Sequence, residues 1–122
     1  MEADGVWVGG DALMREALVN KVGSRALARL ANLQEIPFIS MLNADKFLSN
    51  GLSPYFHCLT QNPREIGADE ADGLNIHNEY YERIPLDLVS LIFTENGASR
   101  PEQLVEDIPE KPVSPLFERL VK

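Results

Sequence analysis

Short apolar runs separated by glycines and polar segments divide the chain into candidate strands and helices. Residues 5–9 read Gly-Val-Trp-Val-Gly without alternation, which is typical of an interior strand in a parallel sheet covered on both faces. Residues 11–20 are predicted to form a loop or an irregular turn. A helix is predicted to begin near Asn20, which suits the N-cap position. Its predicted core face consists of Val22, Ala26, Leu30 and Leu33, widened by Leu27 and Ala31.

The apolar run at 36–42 predicts a second strand directly after this helix. Strand, helix and strand in this order indicate a right-handed β-α-β unit with parallel strands. Residues 43–51 are predicted to contain a turn of helix. A long polar excursion is expected over 51–73, with one helical turn at 63–66, and 74–78 could form a short edge strand.

The last third of the chain contains a second strongly apolar segment. Residues 85–94 begin with a proline and have almost no polar face, so they predict a buried helix that ends before Gly97. A strand over 88–93 remains an alternative. The capping-box pattern that begins at Ser99 predicts a short helix ending near Glu106.

Composition limits the classes of partner. The 122 residues predict a single α/β domain over 1–108, followed by a linker and a short helix over 109–122. A net charge of −8 argues against nucleic acid and anionic membranes as partners. The acidic N-terminus lacks the apolar segment of a signal peptide, so a cytoplasmic protein is expected.

Few residues suit metal or thiol chemistry. The single cysteine, Cys58, excludes an internal disulfide and is expected to be a small apolar filler. His57 and His77 have no metal-binding spacing, and the acidic run at 67–73 lacks the spacing of a calcium loop, so we expect a solvated loop and no metal or other cofactor.

Three segments resemble one protein family. They are "VGGDALMREALVNKVGSRALARLA", "IPFISMLNADKF" and "YYERIPLDLVSLIFTENG". In order and spacing, over about residues 5–105, they resemble the translation initiation factor 2B-related family. That family includes regulatory subunits of the exchange factor and isomerases acting on methylthioribose 1-phosphate and ribose 1,5-bisphosphate. The resemblance implies a Rossmann-like three-layer α/β domain with a small parallel sheet, here the second half of a larger domain.

The resemblance also implies roles for individual residues. Asp11 matches the acid/base aspartate of the isomerases, and Asn20 and Lys21 match an Asn-Lys pair beside the sugar phosphate, with Gly9 and Gly10 at the same strand end. Asp11 is expected to face the start of the next helix across a shallow pocket, on the same side of the molecule as Lys21. Moving a carbonyl between adjacent carbons needs a proton shuttle, and a partly desolvated carboxyl suits that work.

Each of these residues also has a plain structural interpretation. Asp11 could bond backbone N–H groups of the following turn, and Asn20 could be an N-cap beside a solvated Lys21. The family's catalytic cysteine belongs to an upstream loop that nothing here matches, and that role is not carried over to Cys58.

Three hypotheses follow. The chain is an isomerase-type domain that needs an upstream cysteine-bearing half, a non-catalytic regulatory or dimerisation module, or a small α/β protein with only a structural likeness. Expected partners are a phosphorylated sugar or nucleotide, and either a second copy or an upstream domain. The apolar segment 85–94 could be a subunit contact rather than core.

Overall fold

The computed structural model describes residues 3–67 and 73–121. The strands are β1 Val6–Gly9, β2 Ala12–Leu13, β3 Ala17–Lys21, β4 Phe38–Met41, β5 Tyr81–Pro85, β6 Leu91–Thr94 and β7 Gly97–Ser99. The helices are α1 Ser24–Leu33, α2 Pro101–Leu104 and α3 Pro115–Leu120. Short 3-10 turns lie at Ala44–Lys46, Ser53–Tyr55, Pro63–Ile66, Leu86–Leu88 and Val105–Asp107.

A four-stranded sheet in the order β1-β4-β6-β7 forms the larger half of the molecule. The strands β1, β4 and β6 are parallel, and β7 is antiparallel to β6. This arrangement confirms the predicted α/β class with a small parallel sheet. Because parallel strands end at the same edge, residues that follow β1, β4 and β6 share one side of the molecule.

The prediction of a helix over 85–94 is wrong. The segment forms a 3-10 turn and then strand β6, so the strand alternative is confirmed. Strand β6 consists of residues that pack well on a pleated sheet, namely Leu91, Ile92, Phe93 and Thr94, and Ile92 is fully buried. Gly97 has a φ of +111° and closes the tight β6–β7 connection instead of ending a helix.

The prediction that 5–9 is an interior strand is also wrong. β1 pairs with β4 on one side only, and it lies at the edge of the sheet. Trp7 is 57% exposed. An uninterrupted apolar run predicts that both faces can be buried, but it does not predict that this chain supplies the cover.

Residues 11–20 are not a loop. They form the hairpin β2–β3, which β5 extends to a three-stranded antiparallel sheet. The hairpin turns at Arg15 and Glu16, where the N–H of Met14 donates to the carbonyl of Ala17 at 2.9 Å. Both strands carry buried apolar side chains, among them Leu18, and these anchor the hairpin in the core.

Helix α1 buries a face that shares only Ala31 with the predicted one. Ser24, Ala28 and Ala31 face the strands, whereas the leucines of the predicted core face are exposed, Leu33 by 75%. Small residues allow the helix axis to approach the sheet closely. The N-cap is Gly23, with a φ of +99°, and not Asn20, which belongs to β3.

The remaining predictions have mixed outcomes. The helical turns within 43–51 and at 63–66 are confirmed, as are the short helices after Ser99 and at the C-terminal end. The edge strand at 74–78 is wrong, because this segment has no regular structure. Most of the acidic run at 67–73 lies outside the described residues, including the carboxylates Asp69, Glu70 and Asp72. The expectation of a solvated loop that binds no metal therefore stays a prediction. The division at residue 108 stays a prediction.

The main core lies between α1, the parallel strands and the hairpin. Its buried apolar side chains are Leu13, Leu18, Ala28, Ala31, Phe38, Leu42, Ile84, Val89, Ile92, Leu104 and Ile108.

Candidate functional site

Strand β1 ends at Gly9, and Gly10 follows in a tightly packed position. Ser40, in β4, donates its hydroxyl to the carbonyl of Gly9 at 3.1 Å. A Cβ on Gly10 would lie 3.1 Å from atoms of Leu18, Leu42 and Ser40. A side chain at position 10 would therefore force these three neighbours to shift by a few tenths of an ångström, so the close approach of the hairpin and the sheet favours glycine here.

Asp11 follows these glycines and is exposed. Its backbone N–H donates to the carbonyl of Val19 at 2.8 Å, so the residue lies beside β3. The next residue along β3 is Asn20. The chain thus brings Gly9, Asp11 and Asn20 together at the carboxyl end of β1.

Asn20 is held by the start of α1. Its Nδ2 donates to the hydroxyl of Ser24 at 2.9 Å, and that hydroxyl donates to the carbonyl of Lys21 at 2.7 Å. The Oδ1 of Asn20 lies 4.0 Å from the position that a Cβ on Gly9 would take. One of the two N–H groups of Nδ2 is used by Ser24, and the Oδ1 is the amide atom on the side of the strand end.

Lys21 lies apart from this group. Adjacent residues of a strand point to opposite faces, so Lys21 and Asn20 leave β3 in opposite directions. The Lys21 Nζ lies 4.3 Å from the ring centroid of Tyr81 and 5.2 Å from that of Tyr80, within cation–π range. Tyr80 in turn donates its hydroxyl to Glu65. The structure therefore does not pair Lys21 with Asn20 as two arms of one phosphate site, and the binding role of each residue stays a prediction.

A carboxylate occupies the N-terminus of α1. Glu82, opposite Asn20 in the β3–β5 register, accepts the backbone N–H of Arg25 at 2.8 Å. Its side chain is only 15% exposed, and the Arg25 Nε lies 3.9 Å away. We did not predict this residue from the sequence. Residues 81–85 show no alternation of apolar and polar side chains, so the sequence offered no clear signal for strand β5 or for the position of Glu82.

Two pockets lie near these elements. The first is lined by Arg25, His57, Cys58, Glu79, Glu82 and Arg83. Burial raises the pKa of the Cys58 thiol, and the nearby Arg83 guanidinium offsets this only in part. A higher pKa leaves less thiolate, the nucleophilic form, which agrees with leaving Cys58 without a catalytic role.

The second pocket lies beyond the carboxyl ends of β4 and β6. It is lined by Ala44, Phe47, Thr94, Asn96, Ser99, Leu104, Asp107 and Pro109. Above β6, Glu95 accepts the backbone N–H of Ala44 with both oxygens, at 2.9 and 3.3 Å. Neither pocket is lined by Asp11 or Lys21.

Two kinds of feature are absent from the described part of the chain. No group of three or more His, Cys, Asp or Glu side chains within it could hold a metal ion. None of its helices is both long and apolar enough to cross a membrane.

The sequence matches the model of the initiation factor 2 subunit family over residues 1–101. The chain belongs to this family. It is 30% identical over 105 residues to ribose 1,5-bisphosphate isomerase of Methanocaldococcus jannaschii, covering 83% of this chain and 34% of that protein. It is 31% identical over 112 residues to methylthioribose-1-phosphate isomerase of Synechocystis, covering 84% and 31% respectively.

The fold agrees with this family. Translation initiation factor eIF-2B subunit delta from A. fulgidus superposes with a TM-score of 0.70 at 23% identity, covering 84% of this chain and 32% of that one. This superposition confirms the expected Rossmann-like α/β fold. The chain spans about a third of the length of the relatives it matches.

Proposed function

We propose that the chain is a sugar-phosphate isomerase-type domain whose ligand lies at the carboxyl end of β1. The observation that carries the proposal is the meeting of Gly9, Asp11 and Asn20 at that strand end, in a family member similar to two sugar-phosphate isomerases. The ligand class is a phosphorylated sugar, with a phosphorylated nucleotide as the second choice. The expected compartment is the cytoplasm.

In this proposal Asp11 is the acid/base group. Moving a carbonyl from the first to the second carbon of an open-chain sugar requires a proton to leave one carbon and another to reach its neighbour. Asp11 is exposed in this chain, whereas general acid/base catalysis favours a carboxyl that is shielded from water. An upstream, cysteine-bearing half would desolvate Asp11 and complete the site, so the 122 residues alone should not isomerise a sugar phosphate.

The test is ligand binding by the chain itself. Ribose 1,5-bisphosphate, methylthioribose 1-phosphate and AMP are titrated into the chain while its melting temperature is measured. We expect stabilisation by at least one sugar phosphate, because a ligand that binds only the folded state shifts unfolding by mass action.

Two variants connect that shift to the strand end. Asn20→Ala should reduce the ligand-induced rise in melting temperature. Asp11→Asn keeps the size and polarity of the side chain, so it should alter that rise while changing the unliganded melting temperature less than Asn20→Ala does. Stabilisation by none of the three compounds, with both variants silent, would contradict the proposal.

A second function is favoured by a separate observation, an uncovered apolar face on the larger sheet. Trp7, Met41, Leu91 and Phe93 share the face opposite α1, by the register of β1, β4 and β6. Trp7 and Met41 are 57% and 54% exposed, and the Trp7 and Phe93 rings touch at a centroid distance of 5.4 Å. Parallel sheets normally have both faces covered. The alternative is therefore a non-catalytic regulatory or dimerisation module in which this face meets a second copy or an upstream domain.

A further inference from the structure

The N-terminus of α1 would ordinarily be an attractive place for the ligand's phosphate. The first backbone N–H groups of a helix point outwards without intrahelical partners, and the helix dipole favours negative charge there. In this chain, however, one of those groups is already used. The N–H of Arg25 donates to Glu82 Oε1 at 2.8 Å.

The occupying group is a charged side chain with little access to water. Glu82 is 15% exposed, so water screens its charge poorly. Arg25 neutralises it only weakly, since the Nε–Oε2 distance is 3.9 Å and the Arg25 side chain is 51% exposed. A phosphate dianion brought to this helix end would lose the Arg25 N–H and meet a carboxylate.

The side-chain amide of Asn20, next to Glu82, also favours a ligand group other than phosphate. Asn20 faces Glu82 across β3 and β5, one N–H of its Nδ2 is engaged by Ser24, and its Oδ1 lies 4.0 Å from the Cβ position of Gly9. A carbonyl oxygen accepts hydrogen bonds, so it suits a sugar hydroxyl and not a fully deprotonated phosphate oxygen.

We propose that Glu82 is a specificity residue that excludes phosphate from the N-terminus of α1, so that hydroxyl groups of the ligand lie beside Asn20 and its phosphate binds elsewhere. This inference rests on the proposed function for the ligand class and assigns the orientation in which that ligand enters. It also replaces the expectation, implied by the family resemblance, that Asn20 lies beside the phosphate.

The test uses inorganic phosphate and the chain as it exists. The backbone amide resonance of Arg25 is followed by NMR during a phosphate titration of the wild type and of Glu82→Gln, which keeps an acceptor oxygen but removes the charge. We expect no saturable shift of the Arg25 resonance in the wild type. In Glu82→Gln the Arg25 resonance should shift saturably within the same phosphate range, because removing the charge is expected to strengthen phosphate binding at this helix end by about threefold to tenfold.

The matched control is Glu79→Gln, which removes the same charge from another side chain of the pocket that Glu82 lines. An equal gain in this control would mean a general charge effect and would overturn the proposal. So would a saturable Arg25 shift in the wild type, or no gain in Glu82→Gln.

Folding is checked by the dispersion of the amide spectrum, with Glu82→Ala as a second variant. Unfolding of both variants would assign Glu82 a purely structural role and would also overturn the proposal. Because the probe is inorganic phosphate at α1, this result is independent of whether sugar phosphates stabilise the wild type. A failure here and a failure of the proposed function can therefore be told apart.

Discussion

Cys58 has a raised thiol pKa and no assigned role. The rate at which its thiol reacts shows whether Cys58 is a packing residue or an activated nucleophile. Burial is the largest cause of its raised pKa, and Glu79 and Glu82 add to that rise. Arg83 acts in the opposite direction and is the second-largest cause. The balance favours the neutral thiol.

We expect iodoacetamide to alkylate Cys58 at pH 8 more slowly than it alkylates free cysteine, because only the thiolate reacts. The rate should reach that of free cysteine when the chain is unfolded in urea. Mass spectrometry of timed samples measures both rates. Alkylation of the folded chain faster than free cysteine would indicate an activated thiol and would contradict this assignment.

Single residues differ in how far the sequence could locate them. The position of Gly9 and Asp11 at a strand end follows from an apolar run that stops at two glycines. The partner of Asn20 could not be predicted, because its bond to Ser24 depends on the helix starting after Gly23 in a left-handed conformation. The contact between Glu82 and Arg25 joins residues 57 positions apart, which no local pattern encodes.

At the scale of elements, the hairpin β2–β3 contributes large side chains to the core although a loop was predicted there. The leucines of helix α1, which were predicted to be core, face solvent. Leu18, in a segment predicted to be a loop, is fully buried. Leu33, on the predicted core face of α1, is 75% exposed. The same substitution at the two positions therefore measures which element carries the packing.

Leu18→Ala should lower the free energy of unfolding by about 2–5 kcal/mol, because it removes buried methyl groups and leaves a cavity. Leu33→Ala should change it by less than about 0.5 kcal/mol, since the side chain is already in water. Urea denaturation followed by circular dichroism measures both. A larger loss from Leu33→Ala than from Leu18→Ala would show that α1 packs through its leucines.

These elements show why periodicity predicted a helix here but not which side it buries. Leucines at helical spacing indicate an apolar stripe, and α1 has one at Leu27, Leu30 and Leu33. The stripe faces outwards because α1 approaches the strands through the smaller Ala28 and Ala31. Likewise, 91–94 is too short and too uniformly apolar for its spacing to separate a helix from a strand.

At the scale of the whole molecule, apolar surface exceeds what the chain can cover. The outer face of the larger sheet and the leucine stripe of α1 both face solvent, on a chain that is about a third of the length of its relatives. The sequence predicted the parallel sheet and its need for cover on both faces. It could not show which surface is left uncovered, because that depends on the strand order and on β1 lying at the edge.

Trp7 is the single tryptophan, so its fluorescence reports directly on the uncovered sheet face. In dilute solution its emission should resemble that of indole in water, because the side chain is 57% exposed. If this face is where copies meet, raising the concentration should shift the emission to shorter wavelength while light scattering reports a doubled mass. Burial of the Trp7 and Phe93 rings would supply the free energy of association.

Trp7→Lys should prevent the doubling of the mass, because it places a charge in the centre of the apolar contact. This variant has no tryptophan fluorescence, so light scattering alone reports on it. Leu33→Lys introduces the same charge on the exposed side of α1 and serves as its control. If Leu33→Lys alone prevents the doubling, the helix and not the sheet is the interface. A monomer at every concentration, with unshifted Trp7 emission, argues against self-association. The uncovered face would then be open to an upstream domain, the other occupant that the second proposed function names for it.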